Sequence, residues 1–197
     1  MRKILTAIIV VFVCQFAAAQ GRLGFKAGST YYILRAKNDK TLDYREGKFG
    51  WVVGASYELL LNKYFAIQPE LNYSFQVARE DYYGSKIKMG YTQVPVLLKY
   101  TPGIEKVAFF AGPQVSFLSN ANTKGDDGKE MGVRGKMNQT DFGVTFGAGY
   151  TPIDNKKGWN VDFRIYKGFM NVFKAEYDNG LKTRNTVFTL TLGYLLK

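Results

Sequence analysis

Apolar and polar residues alternate strictly along the stretch FAIQPELNYSFQV, residues 65 to 77. The odd positions are all apolar or aromatic, and the even positions are all polar apart from Ala66. Successive side chains of a strand point to opposite faces, so the pattern predicts a β-strand with one apolar face and one polar face. In a soluble β-protein the apolar face would be the core, whereas in an outer-membrane barrel it contacts lipid and the polar face lines the lumen.

Seven other segments show the same alternation, and each is close to the 9 to 11 residues that a tilted strand needs to cross a bilayer. After residue 20 no stretch stays apolar for long enough to form a spanning helix. Only a closed barrel would then satisfy every backbone group in the membrane. The sequence therefore predicts an all-β, eight-stranded antiparallel up-and-down transmembrane β-barrel, with strands near 22–34, 50–61, 65–79, 88–101, 106–118, 140–151, 158–168 and 185–196.

The predicted connections alternate between short and long. Short links are expected at 62–64, 102–105 and 152–157, and long polar links at 35–49, 119–139 and 169–184. The remaining link, around 80–88, is predicted to be a hairpin with Gly84 and Ser85 as its two-residue turn. Short links on one side and long links on the other are typical of outer-membrane barrels, with both chain termini in the periplasm.

The apolar parity carries many Tyr and Trp residues near segment ends, as expected for interfacial aromatic belts. The opposite parity carries charges and glycines, which we expect to fill a narrow lumen together. The turn at Gly84 would place Glu70 opposite Lys99. We predict a lumen charge network formed by Glu70, Lys99, Asp141, Asp162 and Arg164. Buried charges need partners, so a structural plug is the favoured interpretation and a proton or ion path is the alternative.

The first residues have the features of a secretory signal peptide. Arg2 and Lys3 precede an apolar run, and Ala17 and Ala19 form a small-x-small cleavage pattern. We therefore predict a signal peptide at 1–19, removed in the mature protein, and a barrel domain at 20–197. Cys14 is the only cysteine and lies in this leader, and the chain contains no histidine. The usual catalytic triads and metal sites thus lack their common members, so no catalytic, cofactor or metal site is predicted.

The chain is basic, with a formal net charge of +11, of which two charges belong to the predicted leader. An exported basic protein is expected to meet anionic lipid headgroups or phosphate-bearing glycolipid rather than nucleic acid. A mixed, solvated surface is the alternative, since acidic residues are interleaved with the basic ones. The basic residues of the predicted long loops include Arg35, Lys37, Lys40, Lys48, Lys124, Lys129, Arg134 and Lys136.

Five segments of the chain carry a family resemblance: YTQVPVLLKY (91–100), FFAGPQVSFL (109–118), TDFGVTFGAGY (140–150), VDFRIYKGFMNV (161–172) and TLTLGYLLK (189–197). The resemblance is to the PorT-like family of small bacterial outer-membrane β-barrel proteins. It implies an integral protein of the cell outer membrane, and some members are linked to a protein-secretion and gliding apparatus.

The expected function is accordingly a non-enzymatic barrel that is structural or forms the membrane component of a larger assembly. Its partners would be outer-membrane lipid and glycolipid, and proteins that contact the long loops. A narrow porin-like channel for ions or small solutes is the alternative. A lipid-modifying enzyme is a third and less favoured class, because the chain lacks the histidine that would serve as its base.

Overall fold

The alternating segments form long antiparallel strands. The computed structural model describes residues 21–37, 42–79, 86–102, 106–124, 130–151, 158–177 and 182–196. A short 3₁₀ helix, Arg134–Lys136, follows the sixth strand. The strands are β1 Gly21–Lys37, β2 Leu42–Leu60, β3 Phe65–Arg79, β4 Lys86–Tyr100, β5 Val107–Lys124, β6 Glu130–Gly132, β7 Thr140–Tyr150, β8 Gly158–Gly168 and β9 Lys182–Leu195.

The eight long strands close into a ring. Each pairs antiparallel with its neighbours in the order β1, β2, β3, β4, β5, β7, β8 and β9, and β9 pairs back onto β1. Closure leaves no long strand with an open edge, and it confirms the predicted eight-stranded antiparallel barrel. The short β6 pairs with β5 outside the ring. No helix within the described ranges has the length and hydrophobicity that crossing a membrane requires.

The polar face of the barrel wall points inward. Along β3, every even position from Ala66 to Gln76 is buried, while the odd positions from Phe65 to Val77 are exposed or half-buried. The same division holds around the ring, so the apolar face forms the outer wall, as expected for a wall in contact with lipid. Large apolar side chains exposed on this wall include Phe25, Trp51, Leu71, Val94, Val96, Leu98, Phe109, Phe117, Phe142, Phe163, Leu190 and Leu192.

Aromatic side chains gather near both ends of the outer wall. We call the end with the 61–64 turn the turn end, and the opposite end the cap end. Ring pairs at the turn end are Phe65 with Tyr100, at 5.0 Å, and Trp159 with Tyr194, at 5.2 Å. Toward the cap end, Tyr31 contacts Phe49, and Trp51 lies against Tyr73 and Phe75. Two such belts are the expected signature of membrane interfaces.

The register of the β3–β4 hairpin differs from the predicted one by four residues. Lys99 lies opposite Ala66 rather than Glu70, and Gln93 lies opposite Asn72 rather than Gln76. The predicted turn residues, 84 and 85, lie outside the described residues. On the outer wall the observed register sets Tyr73 opposite Thr92 and Val77 opposite Lys88, so matching of apolar partners does not select it. A shift by an even number keeps every side chain on its face. The pattern of the two strands therefore could not distinguish them.

The predicted long loop at 35–49 is largely strand. β1 continues to Lys37 and β2 begins at Leu42, with a register shift between Tyr32 and Leu34. Polar composition suggested a loop here, but β1 and β2 are 17 and 19 residues long. Since 9 to 11 residues suffice to cross the membrane, their polar ends at the cap end can pair beyond the hydrocarbon. Of the predicted short links, only the one at 62–64 lies wholly within the described residues, and it forms part of a turn at 61–64.

Candidate functional site in the barrel lumen

Glu70 is the centre of a buried charge cluster that crosses the lumen. Its carboxylate accepts hydrogen bonds from Lys26 Nζ on β1 and from Arg164 Nη1 on β8, the latter at 2.7 Å. Gln68 and Asn72, its neighbours along β3, donate to the same carboxylate at 2.6 and 3.1 Å. The Glu70 side chain is fully buried, so these donors take the place of water around its charge.

Asp162 completes this group, which we call the central cluster: Lys26, Glu70, Asp162 and Arg164. Arg164 Nη2 donates to Asp162 Oδ2 at 2.7 Å, while the guanidinium carbon lies 4.6 Å from the centre of the Phe110 ring. Two positive and two negative charges balance in the cluster. Neutral, hydrogen-bonded ion pairs are the form in which buried charges are tolerated.

A second group of charges lies toward the turn end. Glu58 accepts from Arg22 at 2.7 Å and from Lys99 at 3.0 Å, and we call these three residues the turn-end cluster. Lys99 therefore pairs with Glu58, and the predicted Glu70–Lys99 pair is wrong. The shifted hairpin register moves Lys99 four residues along β3, where the nearest carboxylate comes from β2.

Asp141 lies apart from both clusters, near the cap end. It accepts from Asn185 Nδ2 at 2.6 Å and from the backbone N–H of Met170 at 3.2 Å, and Asn185 in turn accepts from the Tyr32 hydroxyl at 2.5 Å. The predicted five-residue network is therefore divided between three places. Arg164 binds both Glu70 and Asp162 in the central cluster, whereas Lys99 belongs to the turn-end cluster. Asp141 links β7 to the segment after β8 through the backbone of Met170.

Lys26 and Arg22 are the lumen cations that the predicted network omitted. Lys26 occupies the inward parity of β1, so alternation alone could have added it as a candidate. Its contact with Glu70 joins positions 44 residues apart on β1 and β3, the two neighbours of β2, and such a contact depends on the registers that both strands share with β2.

Amides and hydroxyls fill the middle of the lumen. Gln114 Nε2 donates to Ser116 at 3.0 Å and Thr145 donates to Gln114 at 2.7 Å, while Gln76 donates to Ser74 at 3.1 Å. A cavity of about 30 Å³ lies among these groups, and one of about 10 Å³ lies on the turn-end side of the central cluster, beside Gln68 and Lys99. A single water needs roughly 10 to 15 Å³, so these two cavities hold only a few waters.

Glycines provide the room that the lumen carboxylates need. A Cβ on Gly149 would lie 2.4 Å from Asp162 Oδ1, and one on Gly168 would lie 2.3 Å from Asp141 Oδ2. A Cβ on Gly147 would lie 2.8 Å from the Phe110 ring, beside the central cluster. These contacts are too close for any other residue without movement of the neighbours. They agree with the expectation that glycines and charges share the narrow interior.

The segments 130–139 and 169–177 fold against each other over the cap end, and we call them together the cap. Asn138 N–H donates to Val172 O at 2.9 Å and its side-chain amide donates to Asn171 O at 2.8 Å. Met137 forms a β-bridge with Phe173. Links to the barrel run from Val172 N–H to Thr183 O and from Val133 N–H to Ala121 O.

The cap inserts apolar side chains into the mouth of the lumen. Met137 and Val172 are buried in a cluster with side chains of the inner wall, which include Tyr32, Met89, Tyr91, Leu118, Tyr166 and Val187. The cap end is therefore closed by apolar packing, above the polar middle and the central cluster. Within the described part of the chain, no group of three or more His, Cys, Asp or Glu residues is arranged to hold a metal ion.

A closed ring with an apolar outer wall, aromatic belts and a polar packed interior defines a transmembrane β-barrel protein. A model of the family described as "Outer membrane protein beta-barrel domain" matches residues 17–174. The chain belongs to this family and is an outer-membrane β-barrel protein. Among curated proteins, none matches the sequence significantly.

Solved structures of small outer-membrane proteins have a similar fold. Neisserial surface protein A gives a TM-score of 0.60 at 10% identity, covering 87% of this chain and 96% of that one. Ail, the attachment invasion locus protein of Yersinia pestis, solved with the heparin analogue sucrose octasulfate, gives 0.50 at 14% identity. That match covers 89% of this chain and 99% of Ail. At such low identity the likeness establishes the fold alone.

Proposed function

We propose that the protein is a non-enzymatic barrel of the outer membrane that serves as the membrane component of a larger assembly. The packed lumen is the observation that carries this proposal, because a barrel without an open path contributes through its surfaces. The charge clusters occupy the turn-end half of the lumen, and the cap closes the other end. The proposal includes an orientation in which the chain termini lie in the periplasm and the cap faces the exterior, as the predicted alternation of short and long links favours.

The cap is the proposed contact surface for a protein partner. It is held to the barrel by backbone hydrogen bonds, yet it keeps large apolar side chains exposed, with Met131 at 66% and Tyr177 at 46% of full accessibility. Phe169 and Met170 are about half exposed beside them. Apolar groups presented on an ordered surface are typical of interaction sites.

Protein secretion is the kind of assembly that the resemblance to PorT-like proteins suggests.

The proposal that the protein is not an enzyme is supported by the chemistry of the lumen. Its carboxylates are engaged with cations or amide donors, and the chain has no histidine to act as a general base at neutral pH.

A narrow channel is the second candidate function. The observation in its favour is the turn-end cluster, where the side chains of Arg22 and Lys99 are each 16% exposed and so reach the mouth of the lumen. Conduction would require the central cluster or the cap to move, because both occupy the lumen and the cavities on the two sides of the central cluster hold only a few waters.

Single-channel recording in a planar bilayer separates the two functions. We expect the purified mature barrel to produce no discrete conductance steps. Steps in the wild type that disappear when Lys99 is replaced by Met would establish the channel instead.

A photo-crosslinking residue at Tyr177 in intact cells, with a control at Lys63 in the turn-end loop, tests the contact surface. We expect one discrete adduct at Tyr177 that is absent at Lys63; equal labelling at both positions would contradict the assignment.

A further inference from the structure

Two small cavities in the lumen share one wall. We call the cavity of about 30 Å³ the inner cavity and that of about 10 Å³ the turn-end cavity. The inner cavity lies in the polar middle of the lumen, and the turn-end cavity adjoins Lys99, whose side chain reaches the mouth. Of the described residues, only Lys26 lines both cavities. Its side chain therefore forms the partition between them.

The Lys26 ammonium has more donors than partners. An ammonium has three N–H groups, and within the described part of the chain its only hydrogen-bond partner is Glu70. The Lys26 side chain is 6% exposed, so bulk water does not supply the missing acceptors. An unpaired donor on a buried charged group is costly. The two remaining N–H groups therefore need acceptors inside the cavities.

Water matches both cavities in size and in chemistry. One water needs roughly 10 to 15 Å³, so the turn-end cavity holds about one water and the inner cavity about two. The inner cavity is also lined by amides and hydroxyls, on Asn72, Gln93, Gln114, Thr145, Thr189 and Thr191. A water can accept from Lys26 and donate to an amide oxygen. An anion would instead add an uncompensated charge to a central cluster that is already neutral.

The other cation of the central cluster is held more firmly. Arg164 binds Glu70 and Asp162 through separate nitrogens, each at 2.7 Å, and its guanidinium lies against the Phe110 ring. Lys26 is anchored only at the end of a flexible aliphatic stem. Of the two cations, Lys26 is thus the one that can move with the loss of a single contact.

We propose that Lys26 binds water in both cavities and serves as the gate between them. While the ammonium is bound to Glu70, the Lys26 stem separates the two cavities. When the side chain leaves Glu70, the cavities join, and water or a small ion can pass from the turn-end mouth to the polar middle of the lumen. The apolar packing beneath the cap limits this path to the turn-end side. The gate depends neither on a partner at the cap nor on conduction through the whole lumen.

Access of Ag⁺ to a single cysteine measures this path. Residues 20–197 contain no cysteine, so Thr191→Cys places one thiol on the inner cavity. The mature barrel in nanodiscs is exposed to Ag⁺ in a chloride-free buffer, the excess is removed, and the unreacted thiols are counted with a maleimide after unfolding. Lys63→Cys, at an exposed position of the turn-end loop, provides the control for an accessible thiol.

Two substitutions at position 26 remove the same charge but differ in size. Lys26→Ser removes the stem, whereas Lys26→Met keeps a side chain of similar length. With Thr191→Cys as reporter, we expect Lys26→Ser to raise the rate of reaction with Ag⁺ by roughly 100-fold, because the thiol is otherwise reached only through local opening. Lys26→Met should leave the thiol nearly as protected as it is with Lys26.

A neutral background keeps the comparison valid where the loss of charge impairs folding. Both variants leave Glu70 and Asp162 with Arg164 alone, and adding Asp162→Asn restores the balance. Different mobility on an SDS gel before and after boiling identifies the folded samples. Faster reaction of Lys26→Ser than of Lys26→Met in the folded samples supports the gate. Equal rates for the two variants, or rapid reaction of Thr191→Cys while Lys26 is present, would overturn it.

A crystal structure of the wild-type barrel tests the bound water. We expect an ordered water within hydrogen-bonding distance of Lys26 Nζ in each cavity. Empty cavities, or a halide in either of them, would overturn the assignment of water. Neither measurement reports conductance or crosslinking at the cap, so failure of the gate and failure of the proposed function are distinguishable.

Discussion

Replacing Glu70 with Gln should destabilise the barrel strongly, because it removes the negative charge at the centre of the central cluster without changing the size of the side chain. Lys26 and Arg164 would then share only Asp162, which leaves one uncompensated positive charge in the lumen. The Glu70 side chain is fully buried and those of Lys26 and Arg164 are 6% exposed. Loss of one partner from a buried pair costs about 3 to 5 kcal/mol, and any water that enters the lumen reduces this figure.

The double variant Glu70→Gln/Lys26→Met tests the cause of that loss. It restores neutrality, since Arg164 and Asp162 remain paired at 2.7 Å. We expect it to be more stable than the sum of the single variants predicts, with a coupling free energy of about 1 to 3 kcal/mol. Combining Glu70→Gln with Lys99→Met should give a smaller coupling, because Lys99 pairs with Glu58.

Equilibrium unfolding in urea from lipid vesicles provides the assay, with linear extrapolation of the unfolding free energy. Trp51 and Trp159 are exposed on the outer wall, at 47% and 51%, so their fluorescence should report insertion into lipid. Strictly additive effects in the Lys26 cycle would refute the reasoning. So would an unfolding free energy for Glu70→Gln within about 0.5 kcal/mol of the wild type, the range of ordinary surface substitutions, because the lumen charges would then be hydrated rather than packed.

Two further outcomes follow from the closed wall and its faces. Leu190→Arg should reduce the free energy of folding into vesicles by about 2 to 4 kcal/mol, as expected for Arg at the lipid midplane. Arg184→Gln, at the edge of the same strand, should reduce it much less. Equal effects of the two variants would place Leu190 away from lipid. The folded barrel should migrate differently on an SDS gel before and after boiling, because a ring of paired strands has no edge at which to open; identical mobility of the two samples would contradict closure.

The sequence determined the fold class and the faces of the wall. Alternation from Phe65 to Val77 places apolar side chains on one face of a strand and polar side chains on the other, so each face must contact a different environment. Eight such segments without a spanning helix required a closed barrel. The strand boundaries were less predictable at the cap end, where β1 and β2 remain paired among polar residues because they need not match the hydrocarbon.

The partners of the lumen charges were decided only by the tertiary structure. Alternation places Glu70, Lys99 and Arg164 on the inward face, but it is unchanged when a hairpin slips by an even number of residues, as in β3–β4. Arg164 reaches Glu70 from 94 residues away because β8 and β3 face each other across the ring. Such contacts depend on strand number, register and lumen width together. The polar pattern of single strands therefore fixes which charges are buried, and closure of the ring fixes which of them meet.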